Sequence, residues 1–128
     1  MNAPDIVRAY WADMGSNDFA RAARWLAQDF VLYWPQSQEI IRGRANFAAL
    51  NAAYPASGRW RFAIAHLTGD GDTAASDVEV TDGTVVARAI TFHWIRGGLI
   101  AKQVEYWPDA FEAPEWRRRW VERGAPPG

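Results

Sequence analysis

The distribution of apolar residues predicts an α+β domain, a curved antiparallel sheet wrapped over N-terminal helices, and three observations carry that expectation. Apolar side chains recur at helical spacing in the first half of the chain. Strand-like alternation fills residues 60–107, and Gly69-Asp70-Gly71, Asp82-Gly83 and Gly97-Gly98 interrupt it at hairpin intervals. Helices followed by hairpin-linked strands pack as one sheet with helices on one side.

In order along the chain, Ile6, Val7, Tyr10, Trp11 and Met14 share one face of a first helix. Pro4 and Asp5 suit its start and Gly15 its end. Ser16 or Asn17 is placed to cap a second helix with an apolar stripe of Phe19, Ala22, Ala23 and Leu26, flanked by Trp25. Phe30 to Trp34 reads as a short strand closed by Pro35, and a polar turn at Gln36 to Gln38 returns it as Glu39-Ile40-Ile41. Gly43 opens a third helix, Arg44 to Tyr54, stopped by Pro55 and Gly58. Four strands follow, Trp60 to Leu67, Thr73 to Thr81, Val85 to Ile95 and Leu99 to Trp107, and a C-terminal helix is expected over about 114–123. There Trp116 and Trp120 lie one turn apart and need a surface to cover.

The chain of 128 residues suits a single domain spanning 1–128, with its core within 5–108. Eight Trp, four Tyr and six Phe exceed what a core of this size uses, so some rings should line a cavity or a subunit contact. Fourteen basic residues against fifteen acidic ones leave no field to hold nucleic acid or an anionic membrane. Cysteine is absent, which excludes thiol catalysis and thiolate metal sites. His66 and His93 are too far apart for a metal pair, and Asp70, Asp72, Asp77 and Glu79 read as turn and outer-face acids. No basic lead precedes an apolar run at the amino terminus, and no segment approaches a membrane span, so a cytoplasmic protein is expected.

Chemistry concentrates between Thr84 and Trp107. A short turn at Arg96 to Gly98 sets Thr91 opposite Glu105 and His93 opposite Gln103, all on one face. Small and polar residues at the centre of that face leave room for a pocket. Glu105, flanked by Trp107, is expected to be desolvated, which raises the pKa of a carboxyl towards the range of general acid or base work. The competing expectation sets it outward, paired with Arg61, Arg88 or Lys102. His93 offers a mid-range pKa, and Tyr10 a hydroxyl for a ligand oxygen.

This order of elements resembles the nuclear transport factor 2-like superfamily, and within it the SnoaL-like cyclase and ketosteroid isomerase group. The resemblance covers roughly residues 5–108. It is carried by Tyr10, Leu26-Ala27-Gln28-Asp29-Phe30, Ile41-Arg42-Gly43-Arg44-Ala45-Asn46-Phe47, Gly98-Leu99-Ile100 and Glu105-Tyr106-Trp107. It implies a cone-shaped fold around three helices. Tyr10 matches the tyrosine of the steroid isomerases, but Trp34 stands where their base sits and no carboxylate lies near Ile90, where their second acid belongs. Glu105 matches the acid of the SnoaL-like cyclases, seven residues past Gly98. Their histidine position is Thr91, with His93 two residues on. The Asp-Arg-Asp set of the epoxide hydrolases is missing.

Two functions stay open. One is a cofactor-independent isomerase, cyclase or dehydratase acting on a small hydrophobic, oxygenated ring compound. Its catalytic residues would be Glu105, His93 and Tyr10, and Met14, Trp34, Phe47, Tyr54, Trp60, Thr91, Gln103 and Trp107 would hold the ligand. The other is a non-catalytic binding or dimerisation module with its cone plugged by rings. Either way a homodimer through the sheet face is expected, because Val86, Ile90, Phe92 and Trp94 on one strand with Ile100, Val104 and Tyr106 on the next are too apolar for solvent.

Overall fold

The structure is a computed structural model and describes residues 1–128. Helix α1 runs Ala3–Met14, and its start is a reciprocal cap: Asn2 Oδ1 accepts from Asp5 N at 2.9 Å, and Asp5 Oδ2 accepts from Asn2 N at 3.2 Å. Ile6, Val7, Tyr10, Trp11 and Met14 are buried along it, as the helical spacing predicts.

The second helix, α2 (Phe19–Ala22), departs from expectation. Asp18, not Ser16 or Asn17, caps it, with Oδ1 accepting from Arg21 N at 3.1 Å. Asn17 is used elsewhere. In a left-handed conformation (φ 61°), its side chain donates to Trp60 O and accepts from Trp60 N, both at 2.8 Å, tying the helical end of the fold to the start of the sheet. A 3-10 turn, Ala23–Trp25, ends the helical run, and Leu26 begins a strand instead of completing the stripe.

Six strands make one sheet: β1 (Leu26–Trp34), β2 (Glu39–Arg42), β3 (Arg61–Asp70), β4 (Thr73–Thr81), β5 (Val86–Arg96) and β6 (Leu99–Tyr106). Their order is β2-β1-β6-β5-β4-β3, and helix α3 (Arg44–Ala53) lies between β2 and β3 in the chain. All pairs are antiparallel except β1 with β6, which run parallel. That junction joins the N-terminal hairpin to the four-strand meander. Gly97 and Gly98, both at positive φ (59° and 78°), form the tight turn of the β5–β6 hairpin. The register then shifts between Trp94 and Ile95, and the pairs Thr91 with Glu105 and His93 with Gln103 result, as the alternation predicts.

The core lies between α1 and the inner sheet face, with Val7, Leu26, Phe30, Val78, Ala89 and Ile100 at its centre and Phe47 brought in by α3. The outer face keeps Phe92, Trp94, Tyr106 and Val86 exposed. Beyond β6, the expected C-terminal helix is a 3-10 segment, Glu115–Trp120, with Trp116 and Trp120 mostly exposed. Arg117 and Arg119 lie over the two indoles, at 5.9 and 5.1 Å from the ring centroids. A segment that buries no apolar face has little to offset the nucleation cost of an α-helix.

Candidate functional site

Glu105 faces inward, 5% exposed. Period-two alternation on β6 gives it the side of Gln103, the register shift at Ile95 turns Ile100, expected on the outer face, to the buried side as well, and each of the neighbours of Glu105 arrives on a different element. Thr91, opposite it on β5, places Oγ1 2.6 Å from Oε2. Trp34, at the end of β1, donates Nε1–H to Oε1 at 3.0 Å, and Trp107, just past β6, donates its own at 3.1 Å. The parallel pairing of β1 with β6 is what brings Trp34 there, since Tyr33 is level with Val104. Gln36 fixes the strand end, accepting from Trp107 N at 2.6 Å and donating to Trp107 O at 3.1 Å.

The charge logic follows from donor types. Indole N–H groups only donate, so Oε1 keeps its lone pairs in either protonation state. A hydroxyl can reverse: Thr91 donates to an ionised Oε2 or accepts from a protonated one. The site therefore accommodates both forms of Glu105 without losing a hydrogen bond. Burial raises the Glu105 pKa, and the hydrogen bonds from Thr91, Trp34 and Trp107 oppose it. None of the sheet's basic residues pairs with it. Arg88 binds Asp77 on the outer face, where His66 Nδ1 also lies 2.9 Å from that carboxylate.

A cavity of about 400 Å³ opens beside this carboxylate. Of the sequence-predicted residues, Glu105, Tyr10, Met14, Trp34, Phe47, Tyr54, Trp60 and Trp107 line it. Trp34, Tyr54 and Trp107 stand as walls and leave the space open. Tyr10 is 1% exposed, and burial first, then the Glu105 carboxylate, pushes its hydroxyl well above the usual phenol range, with Gln103 acting in the opposite sense. It stays a hydrogen-bond donor at any physiological pH.

Three expected residues lie elsewhere. Thr91 and Gln103 are fully buried and do not line the cavity, so they contact Glu105 and His93 instead of a ligand. His93 requires the larger correction. It is fully buried, packs edge-on against the Tyr10 ring (centroids 6.2 Å apart), and does not line the cavity. Its Nε2 is 2.8 Å from Ser76 Oγ and its Nδ1 3.1 Å from Gln103 Nε2, while Trp11 Nε1 donates to Ser76 Oγ at 3.1 Å. Burial depresses its pKa to about 3. A neutral ring with both nitrogens occupied cannot exchange protons with a ligand, so His93 links strands and supports Tyr10.

Gln36, Ser37, Glu39, Asn51, Phe62 and Asp109 line the cavity without having been singled out for it, and Trp11 joins them although its helical spacing reads as core. The polar turn at Gln36 to Gln38 carried the signal, since it follows the strand that ends at Trp34. No group of three or more His, Asp or Glu is placed to hold a metal ion.

The chain is similar to known proteins along most of its length. The family model described as a SnoaL-like domain matches residues 7–103. A putative ketosteroid isomerase from Kribbella flavida is 31% identical with a TM-score of 0.89, covering 97% of this chain and 90% of its own. An NTF-2-like protein of unknown function from Burkholderia xenovorans is 26% identical with a TM-score of 0.78, covering 94% of each chain. A hypothetical protein of ketosteroid isomerase-like fold from Catenulispora acidiphila, in complex with trimethylamine, is 17% identical with a TM-score of 0.70, covering 82% of this chain and 86% of its own. At that identity it speaks for the fold alone. No curated protein matches the chain.

Proposed function

Because the chain belongs to the SnoaL-like domain family, we propose that its cavity binds a hydrophobic, oxygenated ring compound and that Glu105 moves a proton on it. The observation that carries this reading is a carboxylate lining an aromatic cavity, buried, without a counter-ion, and held by donors that tolerate both of its protonation states. A raised pKa brings such a group closer to neutrality, where an acid and its conjugate base are both available.

In the scheme, ionised Glu105 takes a proton from the carbon next to a ligand carbonyl. The electron pair left behind moves onto the carbonyl oxygen, which accepts a hydrogen bond from the Tyr10 hydroxyl. Returning the proton to another carbon gives an isomerisation. Returning it to a departing hydroxyl gives a dehydration with release of water. Glu105 ends each cycle ionised, and no cofactor enters. Trp34, at the position of the steroid isomerase base, hydrogen-bonds Glu105 in place of doing that base's work.

A ligand-induced thermal shift screen against a metabolite library, followed by turnover assays on the hits, tests the proposal. Glu105→Gln should still bind the hits and lose turnover. Full activity in that variant would remove Glu105 from the mechanism.

The outer sheet face supports a second element of the proposal, a homodimer. Phe92 (43% exposed), Trp94 (38%) and Tyr106 (38%) lie together there, the Phe92 and Tyr106 rings 6.4 Å apart, with Val86 exposed further along β5, a patch that a second copy would cover.

A further inference from the structure

The cavity has a charge pattern that the proton-transfer scheme does not require. Its walls carry three carboxylates, Glu39, Glu105 and Asp109, and no Lys, Arg or His. The chain as a whole is close to neutral, with 14 basic residues against 15 acidic ones, so this excess belongs to the cavity. Half of the 18 lining residues are aromatic. A buried carboxylate ordinarily has a charge partner. Glu105 has none: the ion pairs of the chain involve Asp13, Asp29, Asp77 and Glu115, and its own partners are two indoles and a hydroxyl. Those three donors leave about one of the four lone-pair positions of a carboxylate open.

Each class of ligand fares differently in such a space. An anion meets three like charges and no donor of positive charge. A neutral apolar molecule fills the volume but leaves Glu105 either uncompensated in a medium of low dielectric or obliged to take up a proton. An organic cation meets both needs, since its charge is drawn to the carboxylates and to the negative faces of the rings, and its apolar part covers the walls. We infer that the ligand of this cavity is an organic cation, a protonated amine or quaternary ammonium group carried on an apolar body. This inference rests on the proposal that the cavity is the ligand site, and adds a cationic nitrogen to the oxygenated compound described above.

The test compares three probes of similar size: benzyltrimethylammonium, its neutral carbon isostere neopentylbenzene, and the anion phenylacetate. Binding is followed by quenching of indole fluorescence, to which Trp34, Trp60 and Trp107 contribute, and by calorimetry. Benzyltrimethylammonium should bind at least about tenfold tighter than neopentylbenzene, with phenylacetate the weakest. Glu39→Gln and Asp109→Asn, both exposed and outside any ion pair, should each weaken the cation and leave the neutral probe unchanged. Glu105→Gln should reduce the cation's advantage most. Binding of the neutral isostere as tightly as the cation, or a cation preference unaffected in all three variants, would overturn the inference while leaving an apolar ligand cavity in place. Failure of all three probes to bind would overturn both.

Discussion

Glu105→Gln has a consequence for stability as well as for catalysis, and its sign follows from the hydrogen bonds. Oε1 must keep facing the Trp34 and Trp107 indoles, which can only donate, so the new amide nitrogen takes the place of Oε2. There it donates to Thr91 Oγ1, and no hydrogen bond is lost. The variant therefore imitates the protonated carboxyl. In the wild type, burial raises the folded-state pKa above the ordinary 4.5. Between that value and the raised one, the unfolded chain has released a proton that the folded chain still holds. The contribution of Glu105 to wild-type stability accordingly falls as pH rises through this window, by about 1.4 kcal/mol per pH unit, and the loss is complete above the folded pKa; His93, with its pKa depressed to about 3, adds the opposite slope in both proteins and cancels from their difference. The variant has no proton to release and escapes the slope. At pH 7 it should be the more stable protein, each 1.4 kcal/mol of gain raising Tm by about 5 °C in a domain of this size. Urea unfolding followed by indole fluorescence, repeated from about pH 4 to about pH 8, measures the difference directly. The two proteins should differ least at the acid end and diverge towards neutrality. A variant less stable than wild type at pH 7, or a difference independent of pH, would refute the reasoning.

Two further outcomes are expected. Asn17→Gly keeps the left-handed backbone but removes both hydrogen bonds to the Trp60 backbone, and should cost about 1–3 kcal/mol in urea unfolding; an unchanged midpoint would mean that water replaces the side chain. Trp94→Glu places a charge in the exposed apolar patch of the outer face, and should convert a dimer to monomer in sedimentation at micromolar concentration, whereas a wild-type protein that is already monomeric would dismiss the interface.

Most of the meander was legible in the sequence because each of its turns carries Gly at a position that needs it, and because period-two alternation cannot slip by one residue without turning the apolar side outward. That is why the pairing of Thr91 with Glu105 is readable from the alternation itself. The parallel junction of β1 with β6 could not. It joins residues about seventy positions apart, and nothing local in Leu26 to Trp34 marks the partner or the strand's early start. Trp34 consequently reads as a wall residue, and its hydrogen bond to Glu105 emerges only from the fold. His93 shows the opposite limit. Its alternation correctly sets it inward, but whether an inward histidine meets a ligand or a neighbouring side chain depends on Ser76 and Gln103, which two other strands deliver. The cap of α2 shows the same thing at shorter range, since Asn17 is a suitable cap by type and is drawn away by a backbone 43 residues distant.

The proposed chemistry depends on a buried carboxylate that has no counter-ion and so holds its proton more tightly than an ordinary side chain. Following the carbon-13 shift of the Glu105 carboxyl with pH, assigned by its absence from the Glu105→Gln spectrum, tests that most directly. The prediction is a midpoint clearly above 4.5; a midpoint at or below that value would contradict it.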